Sequence, residues 1–385
     1  MPYLQKESFI NRKSELEYLF QWIHRKPQHI IFVYGPKSSG KTTLLLKFIE
    51  KHLNHKDYSI KHFNLREILV TKYSDFIQAF FEVDYSKTPE GLKSRREYNL
   101  KLFKLSKEII THLDNKTLDP FVVMKKELQK IIKKGKRPII IIDELQALED
   151  IYMNEQRELL KELFNFFVAM TKESQLCHVI IASSDGYFLN KIYQDSKLTK
   201  TSAFYEVDYL PEADIHFWLT HLEQECGINA YELTDEQVKT VWKYLGGSMF
   251  EIAYVLGELI PKSRNKAISN AQMMETIQQL IIENCGKLNF FATLHENKRE
   301  LFNVIYEIYQ EKQDFSMNDL KKLVTHQLYK IDELNDELND LVQMNILNFN
   351  PITASYRLQG HSMYYGLKLY VKTILKKDEN EVHSS

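Results

Sequence analysis

The sequence predicts an α/β protein built on a parallel sheet, followed by a helical lid domain and a C-terminal helix–helix–helix–hairpin module. Three observations carry that expectation. A β-branched and aromatic segment, His29 to Tyr34, runs into a glycine-containing turn and then into an amphipathic stretch from Leu44 to Ile49. The run Pro138 to Ile142 is apolar on consecutive positions, as a strand buried on both faces is, and it ends in two carboxylates. Past Pro211 the pattern is helical until a short hairpin close to the C-terminus.

Taken in order, Leu16, Leu19, Phe20 and Ile23 fall at helical spacing in residues 9–25, with Asn11 available as an N-cap. His29 to Tyr34 is the first strand, and Tyr58 to Leu65 alternates into a second. Residues of about 71–137 read as helical and Lys-rich, longer than a crossover requires, and are expected to be a helical insertion. Pro138 to Ile142 is the third strand. A helix through Leu159, Leu160, Leu163, Phe164 and Phe167 leads to a fourth, His178 to Ala182, and Phe204 to Asp208 fits a fifth. The first domain is therefore expected over 1–210, and the helical lid over 211–290. Within the lid, Thr234 to Gln237 and Ser248 to Glu251 both match a capping box. Residues 298–376 place Leu301, Val304, Ile305 and Ile308 on one helix, Met317, Leu320 and Val324 on a second, and Leu334, Leu338 and Leu341 on a third. Ile346 to Pro351 and Ser355 to Leu358 then flank a turn, the order of a winged helix. A last helix is expected from about Ser362 to Leu375, before a polar tail from Lys376 to Ser385.

At 385 residues the chain has room for two to three domains of roughly 100–200 residues each. Hydrophobic residues at 44% and charged residues at 27% match globular usage and argue against disorder. Lys and Arg number 51 against 52 Asp and Glu, a net charge of -1, so any surface for nucleic acid or anionic lipid must be local. No apolar run approaches the ~20 residues of a spanning helix, and Met1 to Glu7 lacks an apolar signal core, so a cytoplasmic protein with no membrane partner is expected. Cys177, Cys226 and Cys285 are too few and too scattered for a disulfide framework.

The chemistry concentrates at the two strand tips. Gly35, Pro36, Lys37, Ser38, Ser39, Gly40, Lys41 and Thr42 satisfy G-x-x-x-x-G-K-[ST] between a strand and a helix. Such a loop lets successive backbone N–H groups converge on phosphate at a helix N-terminus, where the dipole also favours negative charge. Lys41 is suited to the β- and γ-phosphates and Thr42 to Mg²⁺, with Thr43 next among the expected nucleotide contacts. Asp143 suits the outer shell of Mg²⁺, and Glu144 suits activation of an attacking water. Ser183, Ser184 and Asp185 end the fourth strand on the same edge, where one of them could hydrogen-bond the γ-phosphate or that water. Gly246-Gly247-Ser248 opens a helix that either senses the phosphates as part of a lid or is an ordinary turn.

These pieces resemble the archaeal-type P-loop ATPases, a branch near AAA+ and the STAND signalling ATPases. The residues that carry the resemblance are Phe9 to Leu16, the loop at 35–42, Asn64-Leu65-Arg66-Glu67, Ile139 to Leu148 and Gly246-Gly247. It covers most of residues 8–375 and implies a P-loop NTPase sheet of AAA+-like type, ATP or ADP as the bound nucleotide, and Phe9, Ile10 and Arg12 on the side of the base. Gln146 follows the pattern with no assigned role. One feature departs from the family. A Gly-Arg pair often follows the fourth strand there, whereas Asp195 to Ser202 contains no arginine, leaving only Lys197 or Lys200 to place charge near the phosphates. A Lys cannot form the bidentate clamp of an Arg, so slow turnover or help from a partner is expected.

The third helix of the C-terminal module reads Asp332-Glu333-Leu-Asn-Asp336-Glu337-Leu-Asn-Asp340, which would repel a DNA phosphate backbone. A protein partner, through this module or through the basic stretches Lys93 to Arg96 and Lys125 to Arg137, is favoured over nucleic acid. The expected function is thus Mg-dependent ATP hydrolysis in a nucleotide-controlled switch. The alternatives are a nucleotide-loaded signalling or scaffold protein with incidental hydrolysis, and a DNA-binding ATPase resembling origin-recognition loaders.

Overall fold

The computed structural model describes residues 8–83, 103–154, 157–186, 188–189, 192, 198, 200–293 and 296–375. Lys93, Arg95, Arg96, Lys197 and the polar tail lie outside these residues. Helix α1 (Lys13–His24) leads into β1 (Ile30–Tyr34), α2 (Lys41–His52), β2 (Tyr58–Asn64), α3 (Tyr73–Phe80) and a short parallel pair, β3 (Phe81–Val83) with β4 (Phe103–Leu105). Next come α4 (Lys107–Asp114), α5 (Pro120–Lys133), β5 (Arg137–Asp143), a small hairpin of β6 (Tyr152–Asn154) and β7 (Arg157–Glu158), α6 (Leu159–Val168), β8 (His178–Ala182) and β9 (Ser202–Glu206). The order β2-β5-β8-β1-β9 is parallel throughout, with Ile31 opposite Ile180, Ile139 opposite His178 and Ile30 opposite Ser202.

Consecutive apolar residues on these strands serve two cores. Ile30, Phe32, Ile140, Ile142, Val179 and Ile181 pack under α3, α5 and α6, whereas Ile31, Val33, Ile139, Ile141 and Ile180 pack under α1 and α2. Each fully buried Ile or Val contributes about 1.5–3 kcal/mol relative to exposure, so the runs that look uniformly apolar in sequence stabilise both layers at once. The five strands fall where the sequence predicts them, to within two residues at each end.

The helical domain that follows, the expected lid, holds α7 (Glu212–Thr220), α8 (Leu222–Cys226), α9 (Asp235–Leu245) and α10 (Met249–Leu259). The chain closes with α11 (Asn270–Thr293), α12 (Glu296–Tyr309), α13 (Lys321–Thr325), α14 (Ile331–Gln343), the antiparallel hairpin β10 (Leu347–Asn350) and β11 (Ser355–Leu358), and α15 (His361–Tyr370). Helix α11 serves two cores: Met273, Ile277 and Ile281 join the lid, while Cys285, Leu288 and Phe291 join the C-terminal module. Among the described residues no helix is long and apolar enough to cross a membrane.

Three local expectations need correction. Asn11 does not cap α1: it takes a left-handed φ of 33° and donates to Asp214 Oδ1 at 2.7 Å, and Arg12 occupies the cap position. The insertion after residue 71 is not purely helical, because Phe81 and Phe103 bring β3 and β4 together against the core. Thr234 and Gln237 form their capping box, but Ser248, though at the N-cap of α10, makes no side-chain capping bond, and Glu251 accepts from Ser362 on α15 at 2.6 Å.

Candidate nucleotide site

The loop after β1 turns back on itself before α2 begins at Lys41. Gly35 has φ 145°, and a Cβ there would stand 2.2 Å from the Val207 carbonyl oxygen, so only glycine lets the loop pass this close to the end of β9. Lys41 is buried, and its Nζ donates to the carbonyls of Gly35 at 3.0 Å and Pro36 at 2.8 Å. Burial pushes its pKa down to about 8, against the opposing pull of Glu144 and Asp143.

Strand β5 delivers the carboxylates to this loop. Thr42 Oγ1 donates to Asp143 Oδ2 at 2.5 Å, while Asp143 Oδ1 is buried with no hydrogen-bond partner among the described residues. Desolvation raises the Asp143 pKa. A buried carboxylate with a free oxygen, beside a Thr hydroxyl at the loop's end, fits a hard divalent cation that takes its remaining ligands from phosphate and water. Glu144 turns off the strand with φ 62°, a conformation that costs a non-glycine residue about 1–2 kcal/mol. Its carboxylate accepts from Arg66 Nη2, from Gln146 Nε2 and, at 3.1 Å, from Ser184 Oγ. Ser183 Oγ donates to Gln146 Oε1 at 3.0 Å, and Arg66 also reaches Ser184 Oγ at 3.0 Å. Ser183 and Ser184 therefore belong to the hydrogen-bond network around Glu144. Arg66 gets there because Asn64, at the tip of β2, stands opposite Asp143 in register.

Beside the loop lies a cavity of about 430 Å³, bordered by Phe9, Ile10 and Arg12, by Ser38, Ser39, Gly40 and Thr43, and by Trp218 and Met249 of the lid. Ser39 Oγ is buried there without a hydrogen-bond partner among the described residues. The Arg12 guanidinium is already committed, donating to the carbonyls of Ser39 at 2.8 Å and Asp208 at 2.7 Å and to Glu15 at 2.7 Å. Arg12 thus braces the cavity wall. Ile10 packs into the lid core and so ties the upstream segment to it. Trp218 and Met249 escaped the sequence reading because they look like ordinary core positions of amphipathic helices.

The C-terminal hairpin also reaches the loop. Arg357 on β11 holds Asp208 with two hydrogen bonds, at 2.6 and 2.8 Å, and stands 3.4 Å from Glu206. The Lys37 carbonyl accepts from Tyr209 Oη at 3.2 Å and from Gln359 Nε2 at 3.4 Å. A Cβ on Gly247 would lie 1.9 Å from the Leu210 carbonyl oxygen, so the Gly-Gly turn packs its backbone against the segment that leaves β9. Two further expectations fail. Lys200 lies two residues before β9, whose first residue, Ser202, is level with Ile30, and hence at the end of the sheet away from the phosphate loop. In α14, Asp336 and Asp340 are exposed, but Glu337 turns to Lys298 Nζ at 3.0 Å.

A phosphate loop at one strand tip, Asp-Glu on the strand two places along and a helical domain beside them are the arrangement of a P-loop ATPase. Residues 9–255 match the ATPase domain predominantly from Archaea, and the chain belongs to that family. It is 34% identical over 366 residues, 94% of each chain, to an uncharacterized ATP-binding protein of Methanocaldococcus jannaschii. A second such protein of that organism is 34% identical over 367 residues, covering 94% of this chain and 98% of the other. Among solved structures, the fold is similar to that of the Aeropyrum pernix ORC2 protein in its ADPNP-ADP complexes, with a TM-score of 0.55 at 11% identity over 98% and 97% of the two chains.

Proposed function

We propose that the protein hydrolyses the β–γ bond of ATP and uses the nucleotide state to set the position of its C-terminal module. The observation that carries this reading is the convergence of Lys41, Thr42, Asp143 and Glu144 at one end of the sheet. Lys41 would leave the Gly35 and Pro36 carbonyls for the phosphates, Ser38 to Thr43 would surround them, and the base would enter the cavity beside Trp218. Thr42 and Asp143 would hold Mg²⁺, which when bound supplies positive charge to the phosphate oxygens. Glu144 is the general base for water. Held by Arg66, Gln146 and Ser184, it is fixed in place but not free to accept a proton, so release from Arg66 is the step that arms it.

The contacts of Gln359 and Tyr209 with Lys37 support the switch, because a phosphate that reshapes the loop must also disturb the partners of its carbonyl. Replacing Glu144 by Gln tests the catalytic half. ATP binding should persist while turnover falls roughly 10²–10⁴-fold, the usual worth of a general base. Turnover at the unmutated rate removes Glu144 from the mechanism. Base reading by α14 is disfavoured by the exposed Asp336 and Asp340, which leaves a protein as the expected contact of that helix.

A further inference from the structure

All five strands of the central sheet run the same way, so the turns that enter them gather at the pole opposite the phosphate loop. That pole is basic on a chain whose net charge is -1. Arg25 and Lys26 precede β1, Lys56 precedes β2, Lys136 and Arg137 lead into β5, and Lys200 precedes β9. None of the six forms an ion pair among the described residues. Asp57 is the acid closest to this set in sequence, and it accepts from Asn54 at 2.9 Å; ahead of β8, Lys172 and Glu173 offset each other. Between the turns lies a depression of about 350 Å³, bordered by Arg25, Lys26, Lys136 and Arg137 and backed by the buried His178. The His178 ring stands 3.1 Å from the Arg25 carbonyl, and Lys136 Nζ donates to the His55 carbonyl at 2.7 Å, which fixes both walls.

We infer that this pole docks the sugar-phosphate backbone of double-stranded nucleic acid without reading its sequence. Five strands about 4.8 Å apart make a stripe of roughly 19 Å, over which a duplex presents on the order of ten phosphate charges. The chemistry selects this partner over two others. Protein interfaces are depleted in Lys and anchored by aromatic residues, whereas these turns are Lys-rich and, among the described residues, expose no Trp, Tyr or Phe. Single strands need aromatic platforms for stacking, which the described residues of this surface do not offer. The inference does not depend on the ATPase assignment, since the pole shares no residue with the nucleotide site.

The experiment is a salt titration of a fluorescein-labelled DNA duplex, followed by anisotropy, with the full chain. Four or more phosphate contacts predict a loss of affinity on the order of 100-fold between about 50 and 200 mM salt. Replacing Arg25, Lys26, Lys136 and Arg137 together by Glu should flatten the log–log salt slope by roughly 0.9 for each phosphate no longer neutralised. ATP affinity of the variant serves as the check on folding. Should that variant fail to fold, Arg25→Gln with Lys26→Gln should give the same change at about half the size. No duplex binding at low salt, or an unchanged slope in the folded variant, overturns the inference. So does tight binding of poly-glutamate by a chain that ignores the duplex, which would assign the pole to an acidic protein.

Discussion

The two ends of the same five strands differ in how their charges are spent. At the phosphate-loop end the charged groups have partners inside the molecule: Lys41 on loop carbonyls, Asp143 on Thr42, Glu144 on Arg66 and Arg357 on Asp208. At the opposite end Arg25, Lys26, Arg137 and Lys200 stand exposed without ion pairs among the described residues. A buried charge must be paired to be tolerated, whereas an exposed one costs little to leave free. On the proposed reading, the first end is preorganised and its parts would exchange partners when nucleotide arrives, whereas the second would take its partner from outside.

The largest break in that contrast comes from Lys41→Ala. Losing charge-assisted hydrogen bonds to two phosphates should weaken ATP binding roughly 100-fold or more, read by calorimetric titration. Arg137→Ala at the other pole should leave ATP affinity within twofold and stability within about 0.5 kcal/mol in thermal melts. An effect of Arg137 on ATP comparable to that of Lys41 would erase the distinction between the ends.

A tenfold effect is expected from pH. Burial holds the free Lys41 ammonium at about 8, while phosphate binding favours its charged form and raises that value. ATP affinity should therefore be full below pH 7 and fall about tenfold by pH 9, where most of the free protein has lost the proton. Affinity that climbs between pH 7 and 9 would show that the neutral amine is the binding form.

A few-fold effect is expected where the C-terminal hairpin meets the loop. Arg357→Ala removes a pair of charge-assisted hydrogen bonds that remain partly exposed, worth about 1 kcal/mol after screening. Amide exchange in β10 and β11 should speed up several-fold while β1 and β5 stay protected. Uniform acceleration across the chain would mean that the hairpin is not a separately releasable part.

How much of this was legible in the sequence follows from the range of each interaction. The loop at 35–42 and the pair Asp143-Glu144 are local in sequence and sit at strand ends, so spacing alone locates them. The strands are legible because burial on both faces demands consecutive apolar residues, as in Ile139 to Ile142. Arg66 stands in a segment that marks the family, yet its bond to Glu144 depends on the register of β2 against β5, which no periodicity records. The same holds for Gln359 on Lys37, 322 residues apart. Lys200 misleads because its position after β8 hints at the phosphate end, whereas its place just before β9 puts it at the other pole. Asn11 misleads because a good N-cap residue type finds a better partner in Asp214.

In the proposed mechanism Glu144 does the chemistry at a site where Lys41 and Thr42 do the binding. Single-turnover hydrolysis by Glu144→Gln, with ATP affinity measured on the same preparation, tests it most directly. Affinity is expected within about twofold of the unmutated chain, with the chemical step slowed roughly 10²–10⁴-fold. A chemical step at the unmutated rate would contradict it and return the role of base to another group.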